Sequence, residues 1–264
     1  MKKYLVIGNP IDHSLSPKLH NYWIKANNIN AVYDKRQLSE SDIKKVINEV
    51  KQGKIEGINV TIPFKKLVIP FLEQLTPLAE QTQSVNTIYK KNNILVGDNT
   101  DIDGFKYSLK NINYNIKNKK VFILGAGGVA PSIILALKKL GVSEIFLTNR
   151  TEKKAEDLKK IYPDLKIIPW GENTDFDMII NATSLGLKNN DKIKLNFSKL
   201  KTDKLFYDVI YNPSKTNFLL EAQKLGNKIE NGKMMFIFQA QLSFKIWHNI
   251  LPKINTKVIK LLDL

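Results

Sequence analysis

The 264-residue sequence contains no cysteine and only three histidines, His13, His20 and His248. Without cysteine the chain has no disulfide, no thiolate nucleophile and no sulfur ligand for zinc or an iron–sulfur cluster. A three-histidine metal site would need every histidine of the chain, and no metal site is predicted. No apolar run reaches the roughly 18 residues of a membrane-spanning helix, and the first run, residues 4–7, is shorter than the apolar core of a signal peptide. We therefore expect a soluble, cytoplasmic protein.

Acidic residues are in the minority: Lys and Arg number 41 against 25 Asp and Glu, a formal net charge of +16. Such an excess can attract nucleic acid or anionic metabolites. The lysines are dispersed in pairs such as Lys90-Lys91, without the long block or aromatic-interleaved stripe typical of nucleic-acid binding. We interpret the charge as solvated surface, with steering of small anions as the alternative, and predict no nucleic-acid or membrane partner.

Short apolar runs alternate with amphipathic segments along most of the chain, which predicts an α/β protein with mainly parallel sheets. The predicted strands span residues 4–8, 58–62, 121–124, 144–148, 166–169, 177–181 and 205–211. The predicted helices follow residues 16 and 130 and span residues 234–247 and 254–262.

A glycine-rich segment follows the bare apolar run 121–124 and precedes a helix-like segment, which is the context of a dinucleotide-binding loop. The residues that match the pattern G-x-G-x-x-G/A are Gly125, Ala126, Gly127, Gly128, Val129 and Ala130. Glycines at these positions allow a pyrophosphate to approach the backbone at the helix N-terminus. A tight turn without a ligand is the alternative.

The residues about 20 positions beyond this loop indicate which dinucleotide binds. NAD-binding chains place an acidic residue there, whereas this chain has Asn149, Arg150 and Thr151, followed by Lys154. A guanidinium, a hydroxyl and an ammonium suit a 2′-phosphate, so NADP is the predicted cofactor. Ordinary surface cations beyond a strand are the alternative.

Two hydroxyls, Ser14 and Ser16, lie at the predicted start of a helix, where a carboxylate or phosphate can bind. Ser16 is predicted as the N-cap, with Pro17 as the first helical residue. Capping explains the presence of Ser16 but not that of Ser14.

A second set of polar residues follows the strand predicted over residues 58–62. Asn59 and Thr61 share one face of that strand, which indicates the wall of a cleft. Lys65 comes after Pro63 near the mouth of this cleft, and a buried lysine can act as an acid–base group.

Asn86 and the acidic segment over residues 97–104 complete the polar clusters. Asn99, Asp101 and Asp103 match the first ligand positions of a calcium loop, but Lys110 stands where the closing glutamate would be. Calcium is therefore excluded, and a solvated turn is the alternative interpretation of this segment.

Taken in order, these motifs resemble the shikimate dehydrogenase family over nearly the whole chain. The matching segments are 8–10, 13–17, 20–21, 59–65, 85–87, 97–101, Gly104, 125–130, 149–151, 181–184, Asp208, 211–213 and Gln239. The resemblance implies an NADP-dependent oxidoreductase that reduces 3-dehydroshikimate reversibly to shikimate in aromatic amino acid biosynthesis.

The resemblance also implies roles for individual residues. Lys65 and Asp101 would be the catalytic pair: Lys65 exchanges the proton at the oxygen of the reacting carbon, and Asp101 orients Lys65. The substrate-binding residues would be Ser14, Ser16, Asn59, Thr61, Asn86, Tyr211 and Gln239, with the two serines on the substrate carboxylate. Thr183, Ser184 and Gly232 would join the glycine loop and the cluster after it in binding the cofactor.

The family architecture implies an N-terminal α/β substrate domain and a Rossmann-type NADP-binding domain with a cleft between them. Residues 1–101 with 236–264 would form the substrate domain, because the C-terminal helices return to it, and residues 102–235 the NADP domain. Phe236 and Phe238 depart from the family, which more often has smaller residues there. The resemblance implies a small-molecule substrate as the binding partner. The sequence does not decide between a monomer and a homodimer.

Two alternatives to this function remain. A quinate/shikimate dehydrogenase that uses NAD is disfavoured by the basic cluster around Arg150. A non-catalytic binding protein on the same fold is disfavoured because Lys65 and Asp101 are both present.

Overall fold

The computed structural model of the chain describes residues 1–188, 190–193, 195, 197 and 202–263. The chain divides into a first unit, residues 1–104 with 237–264, and a second unit, residues 105–236. Each unit contains a six-stranded sheet. The predicted α/β class, with two sheet-containing parts, is therefore confirmed.

Strands and helices alternate along much of the chain. The strands are β1 (Lys2–Gly8), β2 (Ala31–Gln37), β3 (Gly57–Val60), β4 (Gln74–Leu75), β5 (Thr87–Lys91), β6 (Ile94–Asp98), β7 (Lys120–Leu124), β8 (Glu144–Thr148), β9 (Lys166–Ile167), β10 (Met178–Asn181), β11 (Leu205–Asp208) and β12 (Lys228–Glu230). The helices are α1 (Ser16–Ala26), α2 (Ile43–Lys51), α3 (Pro77–Thr82), α4 (Asp101–Asn111), α5 (Ala130–Lys139), α6 (Glu152–Ile161), α7 (Asn217–Lys224), α8 (Lys233–His248) and α9 (Thr256–Leu261).

The first unit has a mixed sheet of order β2-β1-β3-β5-β6-β4. β1 runs parallel to β2 and β3, whereas β5 runs antiparallel to β3 and β6. The buried residues of α2 are Ile43, Val46, Ile47 and Val50, which recur at helical spacing and pack into the core of this unit.

The second unit has a parallel sheet of order β12-β11-β10-β7-β8-β9. This is the strand order of a dinucleotide-binding fold, in which the order reverses beside the first strand, here β7. Residues 121–124 of β7 are completely buried, which explains their uninterrupted apolar character. The carboxyl ends of β7, β8 and β10 therefore share one edge of the sheet.

Three predicted strands end earlier than expected. β3 ends at Val60, because the chain turns there and the Phe64 N–H donates to the Thr61 carbonyl at 2.9 Å. β11 ends at Asp208, whose own carboxylate accepts the Ile210 N–H at 2.9 Å in place of a neighbouring strand. β9 stops at Ile167, two residues before the predicted end.

The predicted N-cap of α1 is wrong. Leu15 occupies the cap position, and Ser16 is already the first helical residue. The Ser14 hydroxyl accepts the Ser16 N–H at 3.3 Å, a local bond that serines form readily at a turn. Pro17 lies in the first turn, as expected from its fixed φ.

The solvated-turn alternative for residues 97–104 is also wrong. Asp101 begins α4, and Asn99 and Asp101 are buried. Asn99 closes this turn, because its Nδ2 donates to the Ser84 carbonyl at 2.9 Å and its Oδ1 accepts the Asp101 N–H at 3.1 Å.

Candidate active site

Lys65 and Asp101 form a buried ion pair in the first unit. The Lys65 ammonium contacts Asp101 Oδ2, and the two side chains are only 10% and 8% exposed. The Lys65 carbonyl accepts the Val85 N–H at 2.9 Å, which holds the lysine backbone beside the sheet. Removing two charges from water is costly, so such a pair needs further hydrogen bonds to its remaining atoms.

The Asn86 amide supplies one such hydrogen bond. Its Nδ2 donates to Asp101 Oδ1 at 2.9 Å, while its Oδ1 accepts the Thr100 N–H at 2.8 Å. The same Nδ2 lies 3.3 Å from Gln239 Oε1 on α8. The fold thus brings together four residues that the sequence singled out, Lys65, Asn86, Asp101 and Gln239.

Further polar side chains lie behind Asn86, and we call Asn59, Asn86, Thr87, Thr100 and Ser243 the buried polar network. Asn59 Nδ2 donates to Ser243 Oγ at 3.0 Å, and Asn59 Oδ1 accepts the Tyr33 hydroxyl at 2.7 Å. Thr87 Oγ1 lies 2.8 Å from Ser243 Oγ and donates to Asn86 Oδ1 at 3.0 Å. Asn59, predicted at the wall of a cleft, therefore uses its amide within the protein.

The sequence analysis did not single out Ser243 or Tyr33. Ser243 follows Gln239 by four residues, so the two lie on one face of a helix, and this spacing was the available signal. Tyr33 carries no comparable signal, because its role depends on a contact with Asn59, 26 residues away in the chain.

The hydroxyls of Ser14, Ser16 and Thr61 are not part of this network. Ser16 is buried, yet its side chain makes no hydrogen bond to any residue that the structure describes. In the first turn of α1 the Ser14 hydroxyl accepts the Ser16 N–H, whereas the Lys18 N–H has no acceptor among the described residues. This combination can receive a carboxylate oxygen.

Gly125 in the second unit adopts a conformation that glycine alone tolerates well. Its φ is +103°, and an added Cβ would lie 2.7 Å from Thr183 Cγ2 and 3.0 Å from the Ala182 oxygen. Its N–H donates to the Thr148 carbonyl at 2.8 Å, which holds the glycine loop at the edge of the sheet.

The rest of the glycine loop leaves room for a ligand. The nearest protein atom to a Cβ added at Gly127 would be the Ala182 oxygen at 3.8 Å. α5 begins at Ala130, whose N–H donates to the Gly127 carbonyl at 3.1 Å, and the Ser132 N–H donates to the Val129 carbonyl at 3.1 Å. The main-chain N–H groups of Gly127 and Val129 have no acceptor among the described residues, so they remain for a phosphate. The loop therefore fits a dinucleotide pyrophosphate.

The segment after β8 combines one structural side chain with exposed cations. Asn149 Oδ1 accepts the Ala126 N–H at 3.0 Å and so ties the end of β8 to the glycine loop. Arg150, Thr151 and Lys154 are exposed. Neither cation has an acidic partner among the residues that the structure describes, so both fit a 2′-phosphate.

The loops after β10 and β11 are held by a buried carboxylate. Asn181 Oδ1 accepts the Thr183 hydroxyl at 2.7 Å, and its Nδ2 donates to Asp208 Oδ1 at 3.1 Å. The Thr216 hydroxyl donates to the other Asp208 oxygen at 2.6 Å. Burial raises the pKa of Asp208 to about 6, although these hydrogen bonds oppose the shift. Ser184 is exposed on the same loop.

Two predicted residues lie near the C-terminal end of the second unit. The Gly232 N–H donates to the Ile210 carbonyl at 3.1 Å, and a Cβ there would lie 2.6 Å from the Val209 carbonyl carbon. Tyr211 stacks on Phe236 with ring centroids 4.5 Å apart. Phe236, one of the two departures from the family, therefore contacts a predicted substrate-binding residue.

The histidines pack among aromatic rings. His20 stacks on Tyr33 with centroids 4.2 Å apart, and His248 lies 4.3 Å from Phe244. Within the described part of the chain, no three His, Asp or Glu side chains are grouped to hold a metal ion. No helix in that part is long and apolar enough to cross a membrane.

Two family models match the chain, the shikimate dehydrogenase substrate binding domain over residues 6–88 and shikimate / quinate 5-dehydrogenase over residues 108–211. A Pelagibacter ubique protein named shikimate dehydrogenase (NADP(+)) is 59% identical over 262 residues, 99% of each chain. The shikimate dehydrogenase structure from Aquifex aeolicus has a TM-score of 0.89 and 36% identity, covering 98% of this chain and 96% of its own. That from Thermus thermophilus, in complex with NADP(H) and shikimate, has a TM-score of 0.90 and 28% identity, covering 99% and 98%. The chain belongs to the shikimate dehydrogenase family.

Proposed function

We propose that this protein catalyses the reversible reduction of 3-dehydroshikimate to shikimate with NADPH. Membership of the family and the NADP(+)-dependent activity named for the 59% identical relative support this function. The observation in this chain that carries the proposal is the buried Lys65–Asp101 pair with Asn86 and Gln239 around it. Such a group combines a proton donor with several hydrogen-bonding partners for a polyhydroxylated ring.

Reduction of the ketone adds a hydride to carbon and a proton to oxygen. Bound NADPH supplies the hydride. Lys65, whose ammonium contacts the Asp101 carboxylate, donates the proton, and this stabilises the oxyanion as it develops. Asp101 orients Lys65 and a neighbouring substrate hydroxyl. In the oxidation of shikimate, the neutral Lys65 amine takes the proton back.

The same proposal assigns the substrate contacts. Ser14 and Ser16 bind the carboxylate, which is consistent with the unpartnered Ser16 hydroxyl and the uncapped start of α1. Thr61, Asn86 and Gln239 bind ring hydroxyls, and Tyr211 lies near the substrate. Asn59 contributes through the buried polar network, since its amide bonds to Tyr33 and Ser243.

NADP binds to the second unit in this proposal. The residues assigned to it are Gly125, Ala126, Gly127, Gly128, Val129, Ala130, Asn149, Arg150, Thr151, Lys154, Thr183, Ser184 and Gly232. The glycine loop and the N-terminus of α5 bind the pyrophosphate, whereas Arg150, Thr151 and Lys154 bind the 2′-phosphate. We accordingly assign substrate binding to residues 1–101 with 236–264 and NADP binding to residues 102–235.

The first experiment follows absorbance at the nicotinamide band with purified protein, shikimate and NADP⁺. Matched reactions replace NADP⁺ by NAD⁺ and shikimate by quinate. We expect growth of the band only with shikimate and NADP⁺. Comparable growth with NAD⁺ or quinate would assign the broader-specificity alternative, and a flat trace from folded protein in every reaction would overturn the enzymatic function.

Two further properties are part of the proposal and need separate tests. We propose a homodimer, and sedimentation equilibrium distinguishes it from a monomer. Cell fractionation tests the proposed cytoplasmic location.

A further inference from the structure

We propose that Ser243 is a positioning residue for the reaction, acting on the Lys65–Asp101 pair through Thr87 and Asn86. The inference rests on the proposed function. It concerns a side chain in the interior of α8. The packing of that helix does not require the hydroxyl of this side chain.

The Ser243 hydroxyl lies among buried polar groups. Ser243 is 0% exposed. Its Oγ lies 2.8 Å from Thr87 Oγ1, 3.2 Å from Thr100 Oγ1 and 3.0 Å from Asn59 Nδ2. The helix itself offers one further acceptor, the Gln239 carbonyl at 3.1 Å. A hydroxyl carries a single proton, so its neighbours decide in which direction it donates.

Asn59 sets the direction of the hydrogen bonds. Its Nδ2 faces the Asn86 main-chain carbonyl at 3.1 Å, an atom that can only accept, and its Oδ1 accepts from the Tyr33 hydroxyl. The Asn59 amide is therefore fixed with its N–H groups toward Asn86 and Ser243. Because Ser243 Oγ accepts from Asn59, its own proton is left for Thr87 Oγ1 or the Gln239 carbonyl, and we assign it to Thr87, the nearer of the two at 2.8 Å against 3.1 Å.

Thr87 continues this chain of hydrogen bonds to Asn86. When Thr87 Oγ1 accepts from Ser243, its proton points to Asn86 Oδ1 at 3.0 Å. Asn86 then keeps its oxygen toward Thr87 and its Nδ2 toward Asp101. The reversed amide would place an oxygen against the Asp101 carboxylate, which would repel it and disturb the position of Lys65.

The expected effect is partial. The Thr100 N–H also donates to Asn86 Oδ1, at 2.8 Å, and continues to hold the amide when the Ser243 hydroxyl is removed. Loss of one buried hydrogen bond in a directed chain corresponds to a decrease of about tenfold in turnover. Substrate affinity should change much less, because Ser243 is completely buried and does not face a ligand.

The experiment compares Ser243→Ala, Thr87→Val and the double variant with the wild-type enzyme, measuring kcat and KM for shikimate. Ser108→Ala is the matched control: Ser108 is also 0% exposed and helical, but its hydroxyl bonds to the Phe105 carbonyl and contacts Tyr207 in the second unit. We expect kcat to fall about tenfold in each single variant, with no further fall in the double variant, because both changes break one chain. The control should keep the wild-type kcat.

Three results would overturn the inference: an unchanged kcat in Ser243→Ala, a change confined to KM, or single-variant effects that multiply in the double variant. Ser243→Cys, whose larger thiol fills the site but donates only weakly, replaces Ser243→Ala in the comparison if the alanine variant does not fold. Failure of the proposed function is distinguishable, because the wild-type enzyme itself would then be inactive with shikimate and NADP⁺.

Discussion

The two units hold their candidate site residues in different ways. In the first unit, Lys65, Asn86 and Asp101 are buried and bond directly to one another. In the second unit, the glycine loop offers main-chain N–H groups, and Arg150 and Lys154 are exposed. Proton transfer needs a fixed direction and little water, whereas a phosphate needs charge and accessible N–H groups. We therefore expect substitutions in the first unit to lower turnover and substitutions in the second unit to lower cofactor affinity.

The largest effect is expected for Lys65→Ala. Loss of a general acid lowers kcat by about 10²–10⁴-fold, whereas KM for shikimate should change little, because the role is realised mainly in the transition state. Steady-state kinetics with NADP⁺ and shikimate measures both constants. Lys66→Ala is the matched control, since Lys66 is an exposed neighbour with the same side chain.

An increase in KM with an unchanged kcat would contradict this role of Lys65. The lysine would then bind substrate without moving a proton. The two units would no longer differ in whether their residues act on turnover or on ligand affinity.

A smaller effect is expected for Arg150→Ala in the second unit. Removing a charge-assisted contact to the 2′-phosphate should raise KM for NADP⁺ by about 10- to 100-fold, with kcat at saturation nearly unchanged. Any activity with NAD⁺, which lacks that phosphate, should not fall. Lys153→Ala is the control, because Lys153 is exposed on the same helix, α6, but is not assigned to the cofactor. Equal losses with both cofactors would contradict the assignment of Arg150.

The second unit could be predicted from general patterns. Residues 121–124 of β7 are a bare apolar run, and the sequence places the glycine loop between this run and a helix. The loop needs its glycines for a backbone reason, since Gly125 has a φ of +103°. Such requirements act between near neighbours in the chain, so a single sequence displays them.

The first unit could be predicted less completely. The sequence pointed to Lys65 and Asp101, but their contact joins residues 36 positions apart. Ser243 was not predicted, because its spacing from Gln239 places the two on one helix face but does not show its contacts with Asn59 and Thr87. Ser16 was misplaced as a cap for a local reason: the Ser14 hydroxyl accepts the Ser16 N–H, and the helix already begins at Ser16.

The smallest expected effect concerns the free energy of unfolding. Because of their buried titratable groups, this free energy should change with pH in opposite directions in the two units. Burial, with His248 nearby, lowers the pKa of His20 from 6.5 to about 3. Below pH 6.5 the unfolded chain therefore binds a proton that the folded first unit does not, and stability falls as pH falls. Burial raises the pKa of Asp208 from 3.8 to about 6, so between these values the folded second unit binds the extra proton, and stability rises as pH falls.

Hydrogen exchange of the core amides, compared at pH 7 and pH 5 after correction for the intrinsic rate, measures both changes in one sample. We expect His20 to contribute a loss of about 2 kcal/mol in the first unit, and His248, whose pKa burial lowers to about 4, acts in the same direction; the second unit should gain about 1 kcal/mol. His20→Phe should reduce the response of the first unit to the part due to His248 and leave that of the second unit unchanged. Neither ring nitrogen of His20 has a hydrogen-bond partner among the described residues, so the substitution removes a titrating group without removing a hydrogen bond. The same slope in both units would show that they open together, and the contrast in their buried groups would then have no separate effect on stability.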